Sequence, residues 1–148
     1  MTTEYKVRKR VAVLAEDQFK TDLINWSYFN RHALVQHELY SSGKTADILK
    51  GTLNTFVNNV FTGPFGTNNE LANLIRSGKI DILIVLFNSN EYENSSETLK
   101  DLQRIAETAG IIVASNHTTA SFVLNSFLVN TNIDEKLDGQ GEVKGRRA

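Results

Sequence analysis

Short apolar runs that alternate with helical patterns are the feature of this sequence that most constrains its fold. The runs cover residues 11–15, 37–40, 55–61, 80–86 and 111–114. Each is short enough for a strand, and most are apolar enough to be buried on both sides. Strands alternating with helices at this spacing predict a doubly wound parallel sheet. We therefore expect an α/β fold in three layers, α/β/α, with a five-stranded parallel sheet.

The segments between these runs have helical patterns. We predict helices from about residue 19, around residues 46–53, and over residues 68–77, 98–110 and 118–126. The first of these helices has an apolar stripe that should face the core, formed by Leu23, Ile24, Trp26 and Phe29.

Composition and charge limit the classes of function that need considering. The 148 residues suit one domain, which we place at residues 1–133, and the Gly-rich, charged residues 134–148 predict a flexible tail. A net charge of −1 argues against nucleic acid or an acidic membrane as a partner. There is no cysteine for a disulfide or thiolate. No apolar run is long enough to span a bilayer, and the first residues lack a signal-peptide core, so we expect a cytoplasmic protein.

Polar or glycine clusters mark four of the five places where the predicted strands end. The loops there begin at Glu16, Ser41, Thr62, Phe87 and Ser115. In parallel sheets of this kind, ligands bind beyond the carboxyl ends of the strands. We therefore predict the functional site at this edge.

The loop after Thr62 is punctuated by glycines and runs into a predicted helix. It reads Gly63-Pro64-Phe65-Gly66 and holds the only proline of the chain. Such a turn directs backbone N–H groups and the positive end of a helix dipole at an anion. A base at this helix start would be a carboxylate, but Asn68 stands there. The loop thus predicts an anion pocket without proton abstraction.

Four segments together resemble the methylglyoxal synthase family. They are Leu39-Tyr40-x-Ser42-Gly43-x-Thr45, Gly63-Pro64-x-Gly66, Gly78-Lys79-Ile80-Asp81-x-Leu83-Ile84 and Ala114-x-Asn116-x-x-Thr119-Ala120. The resemblance runs from about residue 11 to residue 126. It implies a fold shared with enzymes that remove phosphate from dihydroxyacetone phosphate. The same domain also occurs as a regulatory module of carbamoyl-phosphate synthetase, where it binds effectors without chemistry.

The resemblance implies that most of a phosphate site is present. Lys20 stands where the family has a phosphate-binding lysine, and the other matching positions are Ser42, Thr45, Thr62 and Gly63. Hydroxyls, an ammonium group and loop N–H groups suit a dianion because each donates hydrogen bonds. Lys44 replaces a threonine of the family. It adds a second cation to the pocket or points to solvent, and the sequence leaves both open.

The acid–base half of the family's site departs from the pattern. The family's Ala-His-Asp is Ala15-Glu16-Asp17 here, so the histidine is lost. The first catalytic aspartate of the family falls on Asn68, its second on Thr98, and another histidine on Ser95. An amide cannot take a proton from carbon. The resemblance therefore implies a degenerate active site.

Three remaining groups are candidates for substitute chemistry. Glu16 is either a helix-start carboxylate or a relocated base. Asp17 either caps the helix or orients ligand hydroxyls, as the family implies. His117 follows the last strand and either faces the pocket or is a polar surface residue.

We weigh three functions. The first is a non-catalytic module that binds a small phosphorylated metabolite or nucleotide and regulates or senses, with a regulated protein as a possible partner. The second is a divergent methylglyoxal synthase or related carbon–oxygen lyase. A phospho-acceptor receiver domain is rejected, because Asn88 and Asn116 stand where it needs an aspartate and a lysine.

The family resemblance implies a homo-oligomer, namely a hexamer. The dispersed histidines predict no metal site, and no cofactor is implied.

Overall fold

The computed structural model describes residues 8–62, 69–87, 95–126 and 129, without the side chains of 95–97. In this part of the chain the strands are β1 (Arg10–Ala15), β2 (Glu38–Ser41), β3 (Val57–Asn59), β4 (Ile82–Leu86) and β5 (Ile112–Ala114). The helices are α1 (Lys20–Phe29), α2 (Arg31–Leu34), α3 (Gly43–Leu53), α4 (Glu70–Arg76), α5 (Ser95–Ala109) and α6 (His117–Leu124). A 3-10 turn, Asp17–Phe19, connects β1 to α1.

The five strands form one parallel sheet in the order β3-β2-β1-β4-β5. β1 lies at its centre and pairs with β2 on one side and β4 on the other. Every residue of β4 is buried, as expected for a strand covered on both faces. The predicted α/β fold with five parallel strands is confirmed.

Two apolar cores cover the two faces of the sheet. One contains residues of α1, α3 and α6, and the other contains residues of α4 and α5. Alternate residues of β4 point into different cores, with Ile84 in the first and Leu83 in the second. The helices thus form layers above and below the sheet, and the carboxyl ends of the strands remain at one edge.

The predicted apolar stripe on α1 is wrong at two of its four positions. Leu23 and Trp26 are buried, but Ile24 is 43% exposed and Phe29 is 80% exposed. The buried face of α1 instead continues through Ser27 and then Asn30, which follows the helix. Trp26, Ser27 and Asn30 follow Leu23 at the three-, four- and seven-residue spacings of one helix face. Because polar residues complete this face, the positions of the apolar residues alone did not locate it.

The buried polar end of this face has its hydrogen bonds inside the protein. The Asn30 amide donates to the Trp26 carbonyl oxygen at 3.0 Å and to the Ser121 hydroxyl at 3.2 Å. The Trp26 indole N–H donates to the same hydroxyl at 2.9 Å. These bonds join α1 to α6 and remove the cost of burying an unpaired amide.

Several predicted boundaries differ from those observed. β2 ends at Ser41 rather than at residue 40, and β4 begins at Ile82 rather than at residue 80. His37, predicted to open β2, is buried just before it, and its Nδ1 accepts the backbone N–H of Lys9 at 3.0 Å. α6 begins at His117 because Asn116 caps it, accepting the Thr119 N–H at 2.8 Å.

The predicted tail, 134–148, lies outside the described residues. No helix within the described ranges is long and apolar enough to cross a membrane.

Candidate functional site

A cleft of about 410 Å³ opens at the carboxyl edge of the sheet. Its lining comes from the end of β1 and the turn after it, from the segment after β3, and from the first part of α5. The residues are Ala15, Glu16, Asp17, Gln18, Thr62, Thr98 and Leu99. The parallel sheet brings these distant segments to one edge, where the strand-end pattern predicted a site.

Glu16 is held at the cleft by the backbone on both of its sides. Its N–H donates to the Leu86 carbonyl oxygen at 2.9 Å, which continues the pairing of β1 with β4. Its own carbonyl accepts the Phe19 N–H at 2.9 Å and so closes the 3-10 turn. Glu16 thus occupies the N-cap position of that turn, although its side chain makes no capping hydrogen bond there.

The Glu16 carboxylate instead belongs to the cleft wall. The residue is 9% exposed, and its Oε1 accepts the Gln18 side-chain amide at 3.1 Å. Gln18 was not singled out from the sequence. Its place three residues after a strand end was the only signal for it.

Asp17 and Lys20 form an ion pair at the rim of the cleft. The Lys20 Nζ lies 2.7 Å from the Asp17 Oδ1, with the lysine side chain 23% exposed and the aspartate side chain 86% exposed. The hydrogen bond and the positive charge of Lys20 hold the pKa of Asp17 below its ordinary value, and Lys44 lowers it further. Lys44 is exposed, but it lies close enough to Asp17 for its positive charge to lower the Asp17 pKa.

The Asp17 pKa provides a test of this ion pair. Because Lys20 lowers the pKa, Lys20→Ala is expected to raise it toward the ordinary aspartate value, as followed by carbon NMR of the carboxyl group. The ion pair stabilises the folded protein at pH values above the ordinary aspartate pKa. This contribution is lost as the pH falls through the folded-state pKa of Asp17. The effect on unfolding should be small because Asp17 is exposed. An Asp17 titration that is unchanged in the variant would contradict the pairing.

The three predicted hydroxyls lie in two different situations. Thr62 donates its hydroxyl to the Ser42 Oγ at 3.1 Å, so these two groups lie together beside the cleft. Thr45 is buried, and its Oγ1 donates to the Ala15 carbonyl oxygen at 3.3 Å. The Thr45 hydroxyl is therefore hydrogen-bonded to the end of β1, whereas the hydroxyls of Ser42 and Thr62 are more accessible.

His117 lies apart from these residues. It lines a separate groove of about 360 Å³ between α1 and α6, together with Asp22, Phe29 and Phe122 among others. The structure thus does not bring His117 to the cleft that Glu16 lines. Gly63 and Asn68 of the predicted anion loop, with the Asn88 position, lie outside the described residues.

Thr98 reaches the cleft from α5. By the family resemblance it stands where the second catalytic aspartate would be, so a hydroxyl replaces a carboxylate on this wall. Among the described residues, no three His, Asp or Glu side chains are grouped so as to hold a metal ion.

Comparison with known proteins decides the family. The MGS-like domain family model matches residues 25–115. The chain belongs to the MGS-like domain family. It is 32% identical over 139 residues to the methylglyoxal synthase of Photorhabdus laumondii, covering 93% of this chain and 91% of that protein. It is 33% identical over 132 residues to that of Yersinia pestis, covering 89% and 86%.

A solved structure shows the same relationship for this MGS-like domain. The crystal structure of methylglyoxal synthase from Elizabethkingia anophelis superposes with a TM-score of 0.73 and 27% identity, covering 88% of this chain and 87% of that one. The resemblance read from the strand-end motifs is therefore confirmed, and so is the fold that it implied.

Proposed function

We propose that this MGS-like domain protein binds a small phosphorylated metabolite or nucleotide at the carboxyl edge of its sheet, without turning it over. The observation that carries the proposal is the Lys20 ammonium group, held by Asp17 at a rim that also has a hydroxyl pair, Ser42 with Thr62. Lys44 adds a second positive charge on the same side. Cations and hydroxyls that donate together suit a phosphate dianion.

The residues at the family's acid–base positions argue against methylglyoxal formation. That reaction needs a base for a carbon-bound proton and an acid for the enediolate. By the resemblance, the family's aspartates fall on Asn68 and Thr98 and its histidines on Glu16 and Ser95. Losing one positioned acid–base group costs about 10²- to 10⁴-fold in rate, and several are replaced together. A role in sensing or regulation follows from binding without turnover.

The alternative is a divergent methylglyoxal synthase or a related carbon–oxygen lyase. Two observations favour keeping it: the similar proteins are named methylglyoxal synthases, and Glu16 presents a carboxylate at the cleft wall. In this alternative Glu16 is the relocated base, with Asp17 beside it.

Phosphate release from dihydroxyacetone phosphate, measured together with thermal unfolding, separates the two functions. For the binding protein we expect no release above background, and an unfolding temperature that rises with the ligand, since a ligand bound only to the folded state stabilises it. Asn68→Asp tests whether the amide blocks the chemistry. Saturable release that is lost in Glu16→Gln would instead establish the lyase.

The family also supports expectations about assembly and partners. We propose a homo-oligomer, with a hexamer as the expected number, and a regulated protein as partner rather than nucleic acid or membrane. Light scattering coupled to size-exclusion chromatography should give six times the 16.6 kDa chain mass. A monomer at all concentrations would contradict the assembly.

A further inference from the structure

Phe61 connects the last residue held by the sheet to Thr62 at the cleft. Val60 is buried, and its N–H donates to the Ser41 carbonyl oxygen at 2.8 Å, one residue after β3 ends. The Phe61 side chain is 55% exposed, so packing in the core does not hold this residue in place. Thr62 follows it directly and lines the cleft. The direction of Thr62 therefore depends on what holds the Phe61 backbone.

The first turn of α4 binds both backbone polar groups of Phe61. The Phe61 N–H donates to the Glu70 Oε1 at 3.0 Å. The Phe61 carbonyl oxygen accepts the N–H groups of Glu70 at 2.8 Å and of Leu71 at 3.3 Å. Because the peptide unit that joins Phe61 to Thr62 is planar, holding the Phe61 carbonyl also fixes the start of Thr62. Glu70 takes part in two of these three hydrogen bonds.

The Thr62 hydroxyl is the group through which these bonds affect a ligand. It donates to the Ser42 Oγ at 3.1 Å, beside the cleft that Thr62 lines. A hydroxyl whose direction is already fixed loses less conformational entropy when it binds a ligand. Glu70 is not among the described residues that line the cleft, so its effect on a ligand passes through Thr62.

We propose that Glu70 is a positioning residue for the phosphate site. Its carboxylate holds the Phe61 N–H and so keeps the Thr62 hydroxyl, paired with Ser42, directed at the cleft. This inference rests on the proposed function, because it assumes that the phosphate contacts this pair of hydroxyls.

Glu70→Gln and Glu70→Ala form a matched pair of variants. Both remove the negative charge, but only glutamine keeps a side-chain oxygen that accepts the Phe61 N–H. By calorimetry with inorganic phosphate, we expect Glu70→Ala to bind about three- to tenfold more weakly than Glu70→Gln, which is the effect of about one hydrogen bond. Asn69 caps α4 by accepting the Ala72 N–H at 2.9 Å, so α4 should begin at the same residue in both variants.

Thr62→Val distinguishes positioning from a purely structural effect. If Glu70 acts through the Thr62 hydroxyl, the ratio of affinities between the two Glu70 variants should fall to about twofold or less once that hydroxyl is removed. A purely structural effect would instead lower the unfolding temperature of Glu70→Ala and leave the ratio the same with either residue at position 62.

Glu107 provides the control on another helix. It also accepts a hydrogen bond, from the Gln103 side-chain amide at 3.2 Å, but it lies on the exposed surface of α5. It is nine residues beyond Thr98, or about 14 Å along the helix from the cleft. Glu107→Gln and Glu107→Ala should therefore bind inorganic phosphate equally.

The outcomes separate the inference from the function beneath it. Equal binding by folded Glu70→Ala and Glu70→Gln, or a ratio that Thr62→Val leaves unchanged, overturns the role of Glu70 alone. The same ratio between the two Glu107 variants also overturns it, because the effect would then not be local. If the unmodified protein binds neither inorganic phosphate nor dihydroxyacetone phosphate, the proposed function fails and the inference fails with it.

Discussion

Replacing Lys20 with alanine is expected to weaken the binding of inorganic phosphate and of dihydroxyacetone phosphate by about 10- to 100-fold. The expectation follows from a charge-assisted hydrogen bond, which contributes about 1.5–3 kcal/mol, at about 1.4 kcal/mol for each tenfold. The fold should persist, because the partner of Lys20 is an exposed aspartate and such pairs contribute little to stability. Calorimetric titration measures the affinity, and circular dichroism confirms the fold.

Lys50→Ala is the matched control. Lys50 is exposed on α3, six residues or about 9 Å along the helix from Lys44. Its substitution therefore removes one positive charge at a position distant from the cleft. If both variants bind phosphate as the unmodified protein does, Lys20 is not part of the site. If both lose affinity equally, the effect is one of net charge and the local pocket is contradicted.

Replacing Trp26 with alanine is expected to destabilise the protein by about 3–5 kcal/mol. Trp26 is 6% exposed, packs in the core between α1 and the sheet, and donates its indole N–H to Ser121. The substitution leaves a cavity and removes a hydrogen bond between α1 and α6. Urea unfolding followed by circular dichroism measures the change, since Trp26 is the only tryptophan and its fluorescence is lost with it.

Phe29→Ala provides the comparison on the same helix. Phe29 is 80% exposed, so its removal should change the free energy of unfolding by about 0.5 kcal/mol or less. A large loss of stability in Phe29→Ala alone would mean that a partner covers this surface, as the expected oligomer would. A small effect of Trp26→Ala would contradict the packing of α1 described above.

Local pattern predicted the elements better than their faces. β4 was recognisable because five consecutive apolar residues suit a strand covered on both sides, and the strand–helix alternation predicted the parallel sheet. On α1 the same reasoning misplaced Ile24 and Phe29, because Ser27 and Asn30 are buried with hydrogen bonds that an apolar count does not register. Burial of a polar residue depends on its partner, here Ser121 on a distant helix.

The candidate site shows the same division. The strand-end pattern was enough to predict that a site lies where Glu16 and Thr62 follow their strands, since parallel strands end at one edge. Nothing local distinguished a carboxylate that caps a turn from one that lines a cleft. That depended on the tertiary structure, which brings Thr62 and Thr98 to the same cleft as Glu16.

What the sequence by itself determined is the family, the parallel sheet and the edge at which a ligand should bind, because these follow from periodicity and from motifs of adjacent residues. The tertiary structure decided which side chains meet there. Thr98 of α5 lines the same cleft as Glu16, whereas His117 lines a different groove. The physical reason is that side chains far apart in the chain are brought together only by the packing of helices against the sheet.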